Sequence, residues 1–167
     1  MVVAPTCRCS VPAVPGAARG IIEADAGRTA AATTKGNPMV LRTIDAPDAP
    51  QPLGGYTQAM EVTGATRLLF VSGQIPEDID GAVPASFVEQ ARLVWRNVVA
   101  QLRAAGMTLD DLVKVTIFLS DRRDIADYRR VRDEVLGGRR VALTTIITGI
   151  FDERWLLEIE AVAASAG

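Results

Sequence analysis

Apolar and polar positions fall into regular periods from residue 56 onward, and into none over residues 1–38. Tyr56–Val62 and Arg67–Ser72 each read as a short strand, the second carrying the apolar run Leu68, Leu69, Phe70 and Val71, with the turn-forming Gly64 between them. A hairpin is the economical expectation. Pro76 to Pro84 reads as a loop rich in Asp and Gly. It ends at Ser86-Phe87-Val88-Glu89, an S-x-x-E capping box in which each side chain can satisfy the other residue's backbone donor. The spacing predicts a helix over 86–105: Ala91, Val94, Trp95, Val98 and Leu102 recur at three or four residues as one apolar stripe, and Gly106 stands where a helix end favours positive φ.

Leu112–Leu119 places Val113, Val115, Ile117 and Leu119 on one face and Lys114 and Thr116 on the other, the signature of a half-buried strand. Asp121 can cap a second helix, with Ile125, Tyr128, Val131 and Val135 as its buried stripe and Gly137-Gly138 as its end. Val141–Ile150 and Arg154–Ala163 read as two further strands. The order β-β-α-β-α-β-β predicts a single α+β domain over residues 39–167, with both helices packed on one face of the sheet.

Residues 1–38, rich in Ala, Pro, Gly and Thr, are expected to form a disordered tail, since a segment without a sustained apolar period cannot bury enough surface to offset the chain entropy of ordering. Pro5, Arg8, Pro12 and Pro15 interrupt any apolar run of the kind a secretory signal needs. Cys7 and Cys9, one residue apart in this tail, read as free thiols rather than as a bridge or a zinc site.

Composition then narrows the chemistry. The 167 residues carry a net charge of −2 and no histidine, which excludes an imidazole base, a His-ligated metal and a His proton shuttle. No apolar run approaches the roughly 18 residues that cross a bilayer, so the expectation is a cytoplasmic protein without a membrane partner. Arg122, Arg123, Arg129, Arg130 and Arg132 decorate the second helix, but Asp124, Asp127, Asp133 and Glu134 interleave with them. A solvated, salt-bridged face is the expectation there, and nucleic acid is not an expected partner.

Three features could carry chemistry. Glu158 and Glu160 share one face of the last strand, roughly 7 Å apart on the period-two rise, and could polarise a water or hold a cation. On spacing alone an exposed or interface strand face is the favoured explanation. Ser72-Gly73-Gln74 at a strand end would let a ligand approach backbone N–H groups, although a plain turn has the same composition. Tyr56, after Gly54-Gly55, offers a phenol at a strand start, or simple packing.

In order and spacing, Tyr56-Thr57-Gln58-Ala59, Val71-Ser72-Gly73-Gln74-Ile75-Pro76, Glu89-Gln90-Ala91, Asn97, Ala105-Gly106, Asp111 to Leu119 and Glu158-Ile159-Glu160-Ala161 resemble the Rid (YjgF, reactive intermediate deaminase) family across about residues 50–165. The resemblance implies a chorismate-mutase-like protomer, a homotrimer and small-molecule clefts between subunits. It also implies hydrolysis of enamine or imine intermediates to a 2-keto acid and ammonia, with no metal or organic cofactor. Tyr56, Ser72, Gly73 and Glu158 would line the cleft, with Glu158 positioning the water.

One departure matters. Active members carry an arginine in a Pro-Ala-Arg-Ser run on the penultimate strand, which clamps the substrate carboxylate. The corresponding run here is Val141-Ala142-Leu143-Thr144, and the spacing from Leu143 to Glu158 matches the family's without a gap. A family asparagine in the second helix falls on Arg129, and the loop before the penultimate strand is shorter. Arg129, or Arg139 and Arg140 just before the strand, could supply a replacement cation. The sequence therefore leaves two classes open: a Rid-type hydrolase, or a catalytically inactive paralogue that binds a small ligand. A ribonuclease reading is disfavoured by the acidic domain and the absence of His.

Overall fold

The computed structural model describes residues 38–166. The tail reading over residues 1–38, its thiols Cys7 and Cys9 included, lies outside the described residues save for Pro38. Six strands and two helices follow in the order β1 (Val40–Ile44), β2 (Ala59–Thr63), β3 (Arg67–Gln74), α1 (Phe87–Ala104), β4 (Leu112–Leu119), α2 (Ile125–Leu136), β5 (Ala142–Ile147) and β6 (Leu157–Ser165).

Only half of the expected capping box forms, because the Glu89 carboxylate takes the Ser86 hydroxyl rather than the Ser86 amide. Ser86 Oγ accepts from the Glu89 amide at 3.3 Å and donates to Glu89 Oε2 at 2.7 Å, and Gly106 leaves the helix at φ +70°. The stripe Ala91, Val94, Trp95, Val98 and Leu102 is buried against the sheet and α2. Asp121 does cap the start of the second helical segment, accepting from the Arg123 amide at 2.8 Å. It opens a single 3₁₀ turn over Arg122–Asp124 from which α2 continues. Gly137, at φ +57°, ends α2 in the left-handed conformation that glycine adopts at no steric cost.

Four strands form one sheet in the order β3-β6-β4-β5, with β4 and β5 parallel and the other pairs antiparallel. Val115, Ile117, Leu119, Leu157, Ile159 and Ala161 are buried on the face that carries both helices. The expected alternation of β4 breaks at its start. Leu112 is buried and Val113 only partly so, because a bulge against β6 between Leu112 and Lys114 inserts one extra residue and turns the side chains over.

The hairpin expected from Tyr56–Val62 and Arg67–Ser72 is not what forms. β2 pairs with β1, a strand the pattern left unassigned, in the register Val40↔Thr63 to Ile44↔Ala59, while β3 pairs with β6. Gly64 still turns the chain, at φ +70°. A turn signal specifies only a change of direction; which edge a strand occupies depends on partners distant in sequence. Arg42 facing Glu61 at 2.8 Å supports the β1–β2 register.

Candidate functional site

A cavity of about 390 Å³ opens between α2, the edge strand β5 and the segment before β2, with Tyr56, Arg129, Arg132, Tyr128, Leu143 and Ile147 among its lining residues. Sheet register explains why β5 contributes Leu143. Its partner in the parallel ladder is Val115, and Ile117 and Leu119 likewise partner Thr145 and Ile147, so all three β5 side chains turn to the helix face. Tyr56, Arg129 and Leu143, singled out from the sequence, are thus brought together.

Asp45 holds the Tyr56 segment in place. One carboxylate oxygen accepts from the Gln58 amide at 2.8 Å and from Thr57 Oγ1 at 3.1 Å, and the other accepts from Arg140 Nη2 at 2.6 Å. These contacts, the Gln58 amide foremost and the Arg140 guanidinium next, hold the Asp45 carboxyl below its ordinary range. Arg140 also donates from Nε to the Tyr56 carbonyl at 3.1 Å, and the Thr57 amide donates to Val141 O at 3.0 Å. Arg140, expected as a ligand-binding cation, is therefore a brace between the Tyr56 segment and the start of β5, and it does not line the cavity. Arg139 is engaged by Asp110 at 2.6 Å.

The second-helix arginines divide in a way their interleaved charges did not reveal. Arg123 pairs with Asp121 and Arg130 with Asp127 on the surface, as a salt-bridged face would. Arg132 departs from that expectation: it is 5% exposed, lies beneath Gly54 and Gly55, and donates through Nε and Nη2 to Asp133 Oδ1 at 2.9 and 2.7 Å. Beside it the Tyr128 hydroxyl is buried with no partner among the described residues. Burial pushes that phenol well above its ordinary pKa, with Arg132 opposing, so Tyr128 keeps its proton at any working pH. Arg129 is exposed and forms no ion pair among the described residues.

Ser72, Gly73 and Glu158 lie elsewhere. Glu158 and Glu160 partner Phe118 and Thr116 on the sheet face that the helices leave open, so the expectation that they share a face holds. Lys114 and Ser72 join Glu160 around a second depression of about 310 Å³ on that face, and Lys114 also donates to Thr144 Oγ1. Burial lowers the Lys114 pKa, with Glu160 opposing. The Glu158 carboxyl lies across Gly73, where a β-carbon would stand 1.6 Å from Oε1, and it makes no hydrogen bond among the described residues. Leu143 and Glu158 sit two strands apart across the sheet and three residues apart along it, on the order of 14 Å, on opposite faces.

Among the described residues no group of three or more Asp, Glu, Cys or His side chains is arranged to hold a metal ion, and no helix is long and apolar enough to cross a membrane.

An α+β protomer of this topology, two helices on one face of a mixed sheet, has the chorismate-mutase-like fold. The family model described as Endoribonuclease L-PSP matches residues 46–165. A RutC family protein of Pyrococcus horikoshii is 37% identical over 118 residues, covering 70% of this chain and 91% of that relative. The structure of Escherichia coli TdcF with bound serine matches at a TM-score of 0.56 and 31% identity, covering 74% of this chain and 98% of that one. A Rid family protein of Yersinia pestis matches in fold at a TM-score of 0.65 and 23% identity, over 74% of this chain and 98% of that one. The chain belongs to the Rid (YjgF/RutC) family.

Proposed function

We propose that this protein hydrolyses 2-imino acids, or their enamine tautomers, to 2-keto acids and ammonia in a cleft formed between copies of the chain. The observation that carries the reading is the split of the site residues. Cationic and phenolic groups line a cavity on the helix face, while the carboxyl suited to handle water lies across Gly73 on the open face. Within one protomer the sheet separates the halves, so a second copy is what can complete the site. The open face carries exposed Leu68 and Phe70 with Ile146, an apolar surface suited to that contact, and a homotrimer is the assembly proposed.

The chemistry follows from the groups. Water adds to the iminium carbon as the C=N π pair moves to nitrogen, and Glu158 takes the proton that water loses. Glu158 then gives that proton to the amine. In the second step the carbinolamine hydroxyl returns a proton to Glu158 while the C–N bond breaks, leaving the keto acid and ammonia. In this scheme the N–H groups around Ser72-Gly73 donate to the substrate. No cofactor enters this scheme.

Leu143 favours a second reading. The strand-borne guanidinium that would clamp a carboxylate is absent, as in a paralogue that binds a small ligand without turnover. One experiment separates the two: hydrolysis of 2-iminopropionate and of larger 2-imino acids, generated in situ, by wild type, Glu158→Ala and Leu143→Arg. Turnover in wild type that Glu158→Ala abolishes supports the hydrolase. Silence in wild type with activity in Leu143→Arg supports the ligand-binding paralogue.

A further inference from the structure

We propose that two copies of this chain pair by exchanging a surface turn, the Asp78-Ile79-Asp80 turn of each seating in the groove between α1 and α2 of the other. The partner is therefore a second copy, held by charge complementarity around an apolar contact. The surface is separate from the cavity that Tyr56 and Leu143 line, and nothing in the pairing depends on imine hydrolysis.

The groove begins with helix spacing. Arg92, Arg96, Val99, Ala100 and Arg103 recur at three or four residues along one face of α1, and with Val135 of α2 they line a cavity of about 630 Å³. Glu134 of α2 pairs with Arg92 at 3.0 Å, whereas Arg96 and Arg103 are exposed and form no ion pair among the described residues. Residues 39–167 carry 14 Lys and Arg against 18 Asp and Glu, so two free guanidinium groups on one groove stand out against an acidic background. They belong to residues seven positions apart, about 10 Å along the axis, with half-buried Val99 and Ala100 between them.

The turn carries the matching pattern, an apolar side chain between two carboxylates. Ile79 is 101% exposed, and Asp78 and Asp80 on either side are exposed and without an ion pair among the described residues. A lone exposed isoleucine is ordinary on a protein surface. This one tips a closed turn: Asp78 Oδ1 accepts from the Asp80 amide at 3.0 Å and the Ala82 amide at 2.8 Å, the Asp78 amide donates to Ala82 O at 3.1 Å, and Gly81 sits at φ +81°. Such a turn loses little further freedom on docking. Asn97, which lines the groove, also donates to Ile75 O at 2.9 Å and Glu77 O at 3.0 Å, so the base of the turn is fixed beside the groove of its own chain. Turn and groove thus form one self-complementary patch, and a two-fold axis through it makes both contacts at once and closes the assembly. If three copies already meet through the open sheet face, this pairing joins two such trimers.

Sedimentation velocity over a range of full-chain concentrations tests the pairing, since it reports mass whatever the basal assembly is. In about 1 M salt the basal species is expected alone, and in about 0.05 M salt a species of twice its mass should grow with concentration. Ile79→Ser should raise the dissociation constant of that species about tenfold. Asp80→Lys, Arg96→Glu and Arg103→Glu should each abolish the doubling. Mixing Asp80→Lys with Arg96→Glu, or with Arg103→Glu, should restore it in one of the two mixtures, because one contact is then wild type and the other has both charges reversed; restoration also shows that the variants are folded. A wild type that stays at its basal mass in low salt overturns the proposal and leaves the groove to another occupant. Doubling that survives the arginine substitutions places the contact on another face. Loss on the groove side without loss on the turn side, or no restoration in either mixture, overturns the exchange.

Discussion

Gly73 provides the space that the Glu158 carboxyl occupies, since a β-carbon at residue 73 would stand 1.6 Å from Oε1 and 2.6 Å from Cδ. The two residues meet because a bulge between Val71 and Gln74 shifts β3 against β6 beside Glu158. Gly73→Ala should therefore expel the carboxyl rather than strain the backbone. Imine hydrolysis is predicted to fall at least tenfold, with binding of a keto acid less affected. Retention of full kcat in Gly73→Ala would show that the placement of Glu158 is irrelevant to turnover.

Glu158→Gln keeps the shape and removes the base. The carboxyl makes no hydrogen bond among the described residues, so the fold loses little and Tm should stay within a few degrees. If Glu158 handles the proton of water, kcat falls by about 10²- to 10⁴-fold. Single-turnover assays that generate the imine rapidly would measure this.

Gln90 is buried, and it ties the loop before α1 to the start of β6. Its Nε2 donates to Pro84 O at 2.8 Å and Arg154 O at 2.9 Å, and its Oε1 accepts from the Leu156 amide at 2.9 Å. Gln90→Ala leaves those backbone groups without a partner, and a loss of about 2–4 kcal/mol is predicted from urea unfolding.

Acid should loosen the Tyr56 segment and the β5–β6 connection. Asp152 is lowered to about 2, first by the Arg154 side chain and then by its amide, and Asp45 is lowered by the Gln58 amide and Arg140. Depressed folded pKa values mean that this stability is fully present above the unfolded carboxylate value, about 3.9, and is lost as pH falls towards 2. Tm should be flat from pH 7 to 5 and drop below 4, and Asp152→Asn should reduce the drop.

Phe70 is 73% exposed on the open sheet face. Phe70→Glu, which puts a charge on the surface proposed to meet other copies, should shift sedimentation from trimer to monomer with an unchanged far-ultraviolet spectrum. An unshifted trimer would place the interface elsewhere.

Much of this was legible in the sequence because its causes are local. The Ser86 N-cap, the stripe of α1, the alternation of β6 and the glycine that ends α2 each depend on residues within a few positions of one another. The chain order of elements and the family blocks follow from the same short-range patterns. The β1–β2 pairing was hidden because Val40–Ile44 has no regular alternation and its partner begins some fifteen residues on.

What only the tertiary structure decided concerns partners and burial. Arg132 reads as one more charge on a solvated helix until Gly54 and Gly55 fold over it, and Asp45 reads as a loop residue until Arg140, distant in sequence, reaches it. Alternation assigned each strand two faces, but the separation of Leu143 from Glu158 by the sheet itself depends on the ladder of β5, β4 and β6. Helix caps and periodicity arise from backbone geometry over one or two turns, which the sequence alone determines. The pairing of strand edges and the enclosure of a charge are set by which distant segments win the same space, and that competition is settled only in three dimensions.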